Sequence, residues 1–222
     1  MFNFINNYLK INKLEIKDKT ISLFHDIYIV EDDFKNKKLI KYVKGKRRPK
    51  KAIKDVYLAL LKISHKNIIS IYDVIESDDD FFVIMEYFDG INLNQYIKRE
   101  FYPSEKPNLD NLKNIFENIA KSIDFINSKG IIHTDIIGHN ILINKNLEIK
   151  IIDFDFAILD NDSILNSDIY SFLVMFYQFI NEYIYLNDKY NLYEYIYKFN
   201  EESKILDYSS CSTFLKSTKI FN

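Results

Sequence analysis

The chain has 222 residues, a net charge of −2, 47% hydrophobic residues and a single cysteine. Its length suits one ample domain or two small lobes that share a cleft, and its apolar content argues against disorder. The near-neutral charge argues against nonspecific nucleic-acid binding, so we expect no nucleic-acid partner. Because Cys211 has no second cysteine to pair with, we expect a reducing compartment and a buried, apolar role for this side chain.

The sequence predicts no membrane span, because the longest apolar block, residues 172–177, ends at Gln178 and is too short to cross a bilayer. The N-terminal residues also lack the apolar core and the cleavage site of a signal peptide. We therefore expect a soluble, cytoplasmic protein, in the cytosol of its own cell or of a host.

The first part of the chain predicts a small sheet and one helix. Strands are indicated by β-branched and aromatic residues, with polar turns at residues 31–36 and 78–80. The predicted strands are residues 20–30, 38–43, 69–75 and 81–85. A helix is predicted over residues 50–63, between the second and the third strand.

A run of seven basic residues, with no acid among them, surrounds the start of that helix. These residues are Lys44, Lys46, Arg47, Arg48, Lys50, Lys51 and Lys54. Such a run is typical of a solvated loop and helix start, which is the interpretation we favour. The alternative is that segment 44–54 docks an acidic partner, a phosphorylated partner or a membrane surface.

An amphipathic helix is predicted between Pro107 and Gly130. Its apolar residues recur at steps of three and four: Leu109, Leu112, Phe116, Ile119, Ile123 and Ile126. A β-hairpin is predicted soon after it, since the apolar runs Ile141–Ile143 and Ile149–Ile152 are joined by the polar residues 144–147.

Three side chains with oxygen ligands flank the predicted hairpin. Asp135 and Asn140 precede its first strand and Asp153 follows its second, so all three are expected at one edge. Carboxylate and amide oxygens suit Mg²⁺, and phosphoryl transfer needs metal ions and an oriented nucleophile. We expect Asp153 to hold one metal ion, Asn140 a second, and Asp135 to contact the acceptor hydroxyl.

These residues carry a resemblance to a known family. His133-Thr134-Asp135 with Asn140 resembles the H-R-D-x-x-x-x-N catalytic loop of protein kinases, and Asp153-Phe154-Asp155 resembles their D-F-G motif. The same strings are also similar to the lipopolysaccharide-core sugar kinases. The resemblance implies an α+β, two-lobed protein-kinase-like fold in a single domain. Its β-rich N-lobe is expected at about 1–86, its hinge at about 86–92 and its truncated, mainly helical C-lobe at about 93–222.

The resemblance also implies a nucleotide site for ATP. The string 38–41 resembles V-A-I-K, which makes Lys41 the phosphate-binding lysine, although a solvated strand lysine is the alternative. Residues 85–90 resemble the hinge. Met85 is then expected to limit the pocket, or simply to pack in the core. The remaining expected nucleotide contacts are the main chains of Glu86 and Phe88 with adenine, and Asn92 near the ribose.

The N-terminal half departs from the family pattern in two ways. None of the four glycines precedes Lys41, so residues 17–19 or 23–25 are expected to cover the phosphates in place of a glycine-rich loop. The following helix has Val56 where the family has the glutamate that pairs with the lysine. Asp55 is its only acidic residue, so either the helix shifts by one residue or that ion pair is missing.

The C-terminal half has its own departures. Ile137 replaces a lysine of the catalytic loop, and Asp155 replaces the D-F-G glycine, a position where positive φ is less accessible to aspartate. His133 is expected to hold the catalytic loop. His25 and His139 are isolated and show no zinc-site spacing.

The segment after the D-F-G equivalent is short. Fourteen residues separate Asp153 from Asp168, which leaves no room for an activation loop and no A-P-E motif. Asp168 resembles the aspartate that braces the catalytic loop from a long helix. Helices are predicted over residues 172–184 and 192–199.

The resemblance implies a kinase, a transferase that moves the γ-phosphoryl of ATP to a hydroxyl with Mg²⁺ as cofactor. A serine or threonine of a protein is the first choice of acceptor. The alternatives are a sugar or another small hydroxyl-bearing molecule, or a pseudokinase that acts as a binding module.

Overall fold

The computed structural model describes residues 2–21, 25–44, 49–77, 80–101, 108–160, 166–187 and 210–217. The strands are β1 Glu15–Ile21, β2 His25–Glu31, β3 Lys37–Val43, β4 Ile71–Ser77, β5 Asp80–Glu86, β6 Ile91–Asn92, β7 Ile131–Ile132, β8 Ile141–Ile143, β9 Ile149–Ile151 and β10 Ile158–Leu159. The helices are α1 Phe2–Ile11, α2 Lys50–Leu60, α3 Leu93–Phe101, α4 Leu109–Asn127, α5 Asn166–Asn187 and α6 Cys211–Ser217.

The N-terminal lobe is a five-stranded antiparallel sheet with the order β1-β2-β3-β5-β4. The prediction of one strand over residues 20–30 is wrong, because this stretch contains the end of β1 and the start of β2. Residues 17–19, expected to cover the phosphates, lie within strand β1, beside an irregularity in register between Ile16 and Asp18. Every residue of β1 is exposed, so its sequence lacks the apolar alternation by which a strand is recognised.

Helix α1, which the sequence did not predict, covers one face of this sheet. Ile5 and Leu9 are buried in a small core with residues from β2, β3 and β5. The sheet residues of this core are Tyr28, Val30, Ile40, Tyr42, Phe82 and Ile84. The sheet is therefore packed on this side as well as on the side that faces α2.

The C-terminal lobe is built around α4, as its periodicity predicts. Leu112, Phe116, Ile119 and Ile123 are buried in the main core, where aromatic rings of α5 surround Phe116. Helix α6 packs against α4, and the Asp124 carboxylate accepts hydrogen bonds from the main-chain N–H groups of Cys211 at 2.8 Å and Ser212 at 3.1 Å. Cys211 is buried, as expected.

The predicted hairpin forms as β8 and β9 and joins β6 in a three-stranded sheet. Strand β9 also meets the segment that precedes β4: Ile151 N–H donates to Asn67 O at 2.8 Å, and Ile69 N–H donates to Ile151 O at 3.1 Å. The Lys150 ammonium lies 2.7 Å from Glu86 Oε2. The hairpin therefore attaches the helical lobe to the end of the N-terminal sheet.

The fold is the expected two-lobed α+β class, while the single-domain organisation and the lobe boundaries stay predictions. Helix α5 includes the predicted helix at 172–184, whereas the predicted helix at 192–199 lies outside the described residues. Within the ranges given above, no helix combines the length and apolarity needed to cross a membrane.

Candidate active site

The loop between β7 and β8 is held by Asp168 at the start of α5. The two oxygens of this buried carboxylate accept hydrogen bonds from the main-chain N–H groups of His133 and Thr134, each at 2.7 Å. Thr134 has φ of 62°, a left-handed conformation that is unusual for a β-branched residue. Burial raises the pKa of the Asp168 carboxyl, an effect that outweighs the opposing hydrogen bonds. Asp168 therefore braces the loop, as predicted.

His133 has the structural position that its sequence context suggested. The imidazole is fully buried, with Nε2 3.0 Å from Ile152 O and its ring against that of Phe154 at 4.5 Å between centroids. It therefore connects the loop to the segment that follows β9.

Asp135 and Asn140 lie side by side at the edge of the hairpin. Asn140 Nδ2 donates to Asp135 Oδ2 at 2.8 Å and to Asp135 O at 2.9 Å. Since the amide nitrogen is used in this way, the Asn140 Oδ1 oxygen is the atom left for a metal ion. Ile152 N–H donates to Asn140 O at 2.9 Å, which joins this pair to the residue preceding Asp153.

Lys41 is buried on β3, which excludes the alternative of a solvated strand lysine. Its Nζ lies 2.7 Å from Asp153 Oδ1 and 2.8 Å from Asp155 Oδ1, and it donates a longer hydrogen bond of 3.4 Å to the Tyr57 hydroxyl. Both ion pairs of Lys41 within the described ranges are therefore with residues that follow β9. Of the two alternatives for α2, the missing ion pair is the one found among the described residues: α2 turns Tyr57, and not Asp55, toward the lysine.

The Lys41 ammonium and its two neighbouring carboxylates stabilise one another. Burial alone would lower the pKa of Lys41, but the two neighbouring carboxylates raise it above its ordinary value. Burial likewise opposes ionisation of Asp155, yet the Lys41 charge and the neighbouring His25 and Tyr57 hold the pKa of that carboxyl well below its usual range. Burial and the two carboxylates raise the pKa of Tyr57, which keeps its hydroxyl protonated as a donor.

The left-handed residue of the 153–155 motif is its first member. Asp153 has φ of 63° and ψ of 70°, and residues Phe154–Phe156 form a single 3₁₀ turn. Asp155 is not among the positive-φ residues, so the concern that aspartate fits poorly at the glycine position does not apply. His25, expected to be isolated, has its Nδ1 3.6 Å from Asp155 Oδ2.

The predicted hinge residues surround the end of β5. Met85 is buried, which fits both of its proposed roles. Glu86 N–H donates to Ser70 O at 2.9 Å, so only its carbonyl remains for a main-chain contact with adenine. Asn92 Oδ1 accepts from Gln95 N at 3.0 Å and caps α3, which leaves its amide nitrogen for a ribose. Phe88 is half-buried and packs against the main core.

Glycine is needed where the hinge passes β8. A Cβ on Gly90 would lie 2.8 Å from Ile143 O and 2.9 Å from a ring carbon of Phe88. This close approach explains a residue that the sequence-based interpretation left without a role.

Other expected features lie apart from this cluster or outside the described residues. Lys44 pairs with Asp26 at 2.8 Å and Lys54 with Glu76 at 3.0 Å, so part of the basic segment is neutralised within the chain. Residues 45–48 and 22–24, the latter between β1 and β2, lie outside the described residues.

The structure brings Lys41, Asp153 and Asp155 together and links them to the Asp135–Asn140 pair through Ile152. The sequence-based interpretation missed Tyr57 and the contact of Asp155 with Lys41. One feature of the sequence could have indicated this contact. Helix α2 lacks an acid at the position expected to pair with the lysine, and an additional acid, Asp155, stands where the family has the D-F-G glycine.

An antiparallel five-stranded sheet, a buried strand lysine and an aspartate after a β-hairpin together define a protein-kinase-like protein. Residues 29–167 match the family model "Protein kinase domain", and the chain belongs to this family.

Comparison with curated proteins gives relatives of the same kind. Serine/threonine-protein kinase PrkC of Bacillus subtilis is 39% identical over 97 residues, which are 43% of this chain and 14% of that protein. Sperm motility kinase 2A of Mus musculus is 34% identical over 99 residues, 45% of this chain and 19% of the relative. Calcium-dependent protein kinase 6 of Plasmodium berghei is 32% identical over 165 residues, 73% of this chain and 11% of the relative. The chain thus covers less than a fifth of each of these proteins.

Proposed function

We propose that the protein is a phosphotransferase that moves the γ-phosphoryl of ATP to a hydroxyl group. The observation that carries the proposal is the buried Lys41–Asp153 ion pair of 2.7 Å beside the Asp135–Asn140 pair. These four groups are those that phosphoryl transfer requires for the phosphates, the metal ions and the acceptor.

The side chains fit Mg²⁺ by their chemistry. Asn140 Oδ1 and the Asp153 carboxylate, which is 32% exposed, are oxygen ligands of the kind that Mg²⁺ takes in small number beside phosphates. Asn140 and Asp153 would hold the metal, which supplies neutralisation of the phosphate charge when it is bound. Lys41 would contact the phosphates, with adenine against Met85 and the main chain of Glu86 and Phe88, and the ribose near Asn92.

The reaction leaves a phosphate ester and ADP. The acceptor oxygen forms a bond to the γ-phosphorus, and the bond from this phosphorus to the β,γ-bridging oxygen breaks, with its electron pair leaving on ADP. The Asp135 carboxylate orients the hydroxyl and takes its proton. Asn140 keeps this carboxylate in place through the 2.8 Å hydrogen bond.

A serine or threonine of a protein is the acceptor that we propose first, supported by relatives whose names include serine/threonine-protein kinase. A sugar or another small molecule is the second candidate. It is favoured by the short connection from Asp153 to α5, which begins at Asn166 and leaves little chain for a peptide platform. We further propose that the protein acts in the cytoplasm, with no nucleic-acid partner.

The test is transfer of radiolabel from γ-labelled ATP to a protein substrate mixture and, separately, to a panel of sugars. The wild type is expected to label an acceptor, whereas Asp135→Asn and Asp153→Asn should lower the rate by at least about a hundredfold. Asp33→Asn, at an exposed turn, is the matched control and should retain the wild-type rate.

Binding without transfer identifies the pseudokinase alternative. Mg·ATP at a hundred times its dissociation constant should stabilise the fold by about 2.7 kcal/mol, which a thermal-shift titration detects. Stabilisation without labelling of any acceptor would support a binding module. Equal labelling by the wild type and both active-site variants would show that the activity belongs to a contaminant.

A further inference from the structure

Lys41 has two carboxylate partners, and the two differ in exposure. Asp153 Oδ1 lies at 2.7 Å and its side chain is 32% exposed, whereas Asp155 Oδ1 lies at 2.8 Å with a side chain that is 14% exposed. Asp153 is the residue assigned above to the metal ion. The Asp153 carboxylate is therefore more accessible to a ligand, and the Asp155 carboxylate is more deeply buried.

Asp155 is held by contacts other than the lysine. The Tyr57 hydroxyl donates to Asp155 Oδ1 at 2.7 Å, and His25 Nδ1 lies 3.6 Å from Asp155 Oδ2. These contacts come from α2 and β2, two elements of the N-terminal lobe. The 3₁₀ turn that contains Asp155 also packs against α2. The carboxylate is thus fixed in position independently of any ligand.

The helix itself offers no carboxylate to Lys41. Val56 is fully buried in the core, and Asp55 is absent from the ion pairs that Lys41 makes among the described residues. Without Asp155, the ammonium would pair with Asp153 alone, and the lysine and the metal ligand would neutralise each other. A cation bound by Asp153 would then have to break the single ion pair of a buried lysine, which is costly.

We propose that Asp155 is a positioning residue that takes the place of the helix glutamate and keeps Lys41 anchored while Asp153 turns to Mg²⁺. The inference rests on the proposed function and deepens it. Asp155 acts through Lys41 and has no contact with the reacting atoms. An aspartate at the glycine position therefore compensates for the missing acid in α2.

This role predicts a specific defect in the coupling between metal and nucleotide. We would measure ADP binding by calorimetry in EDTA and in saturating Mg²⁺, and take the ratio of the two affinities as the coupling. In Asp155→Asn, the uncharged amide still accepts from Tyr57, yet the coupling should fall at least about tenfold while ADP affinity in EDTA changes less than about threefold. Asp155→Gly, which restores the glycine of the family, should show the same loss and a lower kcat with little change in the KM for ATP.

Asp33→Asn is the matched control, because it makes the same carboxylate-to-amide change at an exposed turn outside this cluster. It should keep the coupling within about threefold of the wild type. Far-ultraviolet circular dichroism and the unfolding midpoint show that each variant is folded, and Asp155→Gly replaces Asp155→Asn in the comparison if the latter is unfolded.

The outcomes separate the two proposals. Wild-type coupling in the variants without the Asp155 charge, or an equal loss in Asp33→Asn, would overturn the role of Asp155 and leave the phosphotransferase intact. A wild type that binds no ADP in either condition would overturn the proposed function and, with it, this inference.

Discussion

At the scale of single residues, Asp168 shows how one buried carboxylate fixes the backbone of the candidate catalytic loop. Both of its oxygens are used by main-chain N–H groups, at His133 and at the left-handed residue Thr134. Thr134 Oγ1 also donates to Phe156 O at 2.8 Å, which ties the loop to the turn containing Asp155. The strained conformation is thus stabilised by several contacts that come from two other segments.

We predict that Asp168→Ala lowers the free energy of unfolding by about 2–5 kcal/mol, because two buried N–H groups lose their acceptor. Asp168→Asn retains one acceptor oxygen and should cost less. Urea denaturation of the two variants measures the difference. Tyr170→Ala on the same helix is the control: its side chain is 56% exposed, and it should stay within about 0.5 kcal/mol of the wild type. An unchanged urea midpoint for Asp168→Ala would refute the bracing role.

At the scale of elements, two short helices each pack against one of the lobes. Helix α1 covers the sheet with Ile5 and Leu9, and α6 packs on α4 with the Asp124 carboxylate at its N-terminus. Among the described residues, neither helix supplies a direct ion pair or side-chain hydrogen bond to Lys41 or Asp153.

For α1, we predict that Leu9→Ala destabilises the protein by about 2–4 kcal/mol, since a buried leucine leaves a cavity between helix and sheet. Ile11→Ala, at a position 79% exposed on the same helix, should change stability by less than about 0.5 kcal/mol. Equilibrium denaturation compares the pair. Equal effects of the two substitutions would show that α1 does not pack on the sheet in solution.

For α6, we predict slow alkylation of Cys211 by iodoacetamide in the folded protein. Burial raises the pKa of this thiol, with the Asp124 and Asp168 charges adding to the effect, and the thiolate is the reactive form. Asp124→Ala removes the acceptor for two N–H groups of α6, at a cost of about 1 kcal/mol, and should speed the reaction about fivefold. Lys121→Ala changes an exposed side chain on α4, the helix that carries Asp124, and should leave the alkylation rate unchanged. Mass spectrometry follows the modification, and rapid labelling of the folded wild type would contradict the burial of Cys211.

At the scale of the whole molecule, the ion pair between Lys150 and Glu86 contributes to the connection between the lobes. The ammonium of Lys150 also donates to Ile68 O at 3.3 Å, and Glu86 Oε2 accepts from Ser70 N at 3.1 Å. The end of the sheet, the segment before β4 and strand β9 therefore share one polar network. We expect the two lobes to unfold together as one cooperative unit.

We predict that Lys150→Met lowers the free energy of unfolding by roughly 2–3 kcal/mol, because Glu86 loses its ion-pair partner. The effect is below that of a fully buried pair, since the Glu86 side chain is 22% exposed. The double variant Lys150→Met/Glu86→Gln should recover much of the loss. Scanning calorimetry of the wild type, Lys150→Met, Glu86→Gln and the double variant gives the coupling and shows whether a single transition remains. Additive losses in the double variant would argue against the ion pair.

The sequence by itself determined the hairpin and its flanking residues. The path from Asp135 to Asp153 is local, so spacing and apolar runs suffice to place Asn140 and Asp153 at one edge. The helix periodicity of α4 was readable for the same reason. In contrast, β1 and α1 give weak local signals. All residues of β1 are exposed, so the strand has no alternating apolar pattern. Helix α1 buries Ile5 and Leu9 against the sheet, and a pattern of two residues does not identify the buried face of a helix from the sequence alone.

Only the tertiary structure decided which groups surround Lys41. Its partners at positions 57, 153 and 155 lie far from it along the chain, and they meet because α2, β3 and the turn after β9 pack together. The sequence left Asp55 as the only acidic candidate in the helix, but a rotation of about 100° per residue decides which side chain faces a strand. The packing of α2 on the sheet fixed that rotation, and this is why Asp155 rather than a helix carboxylate holds the lysine.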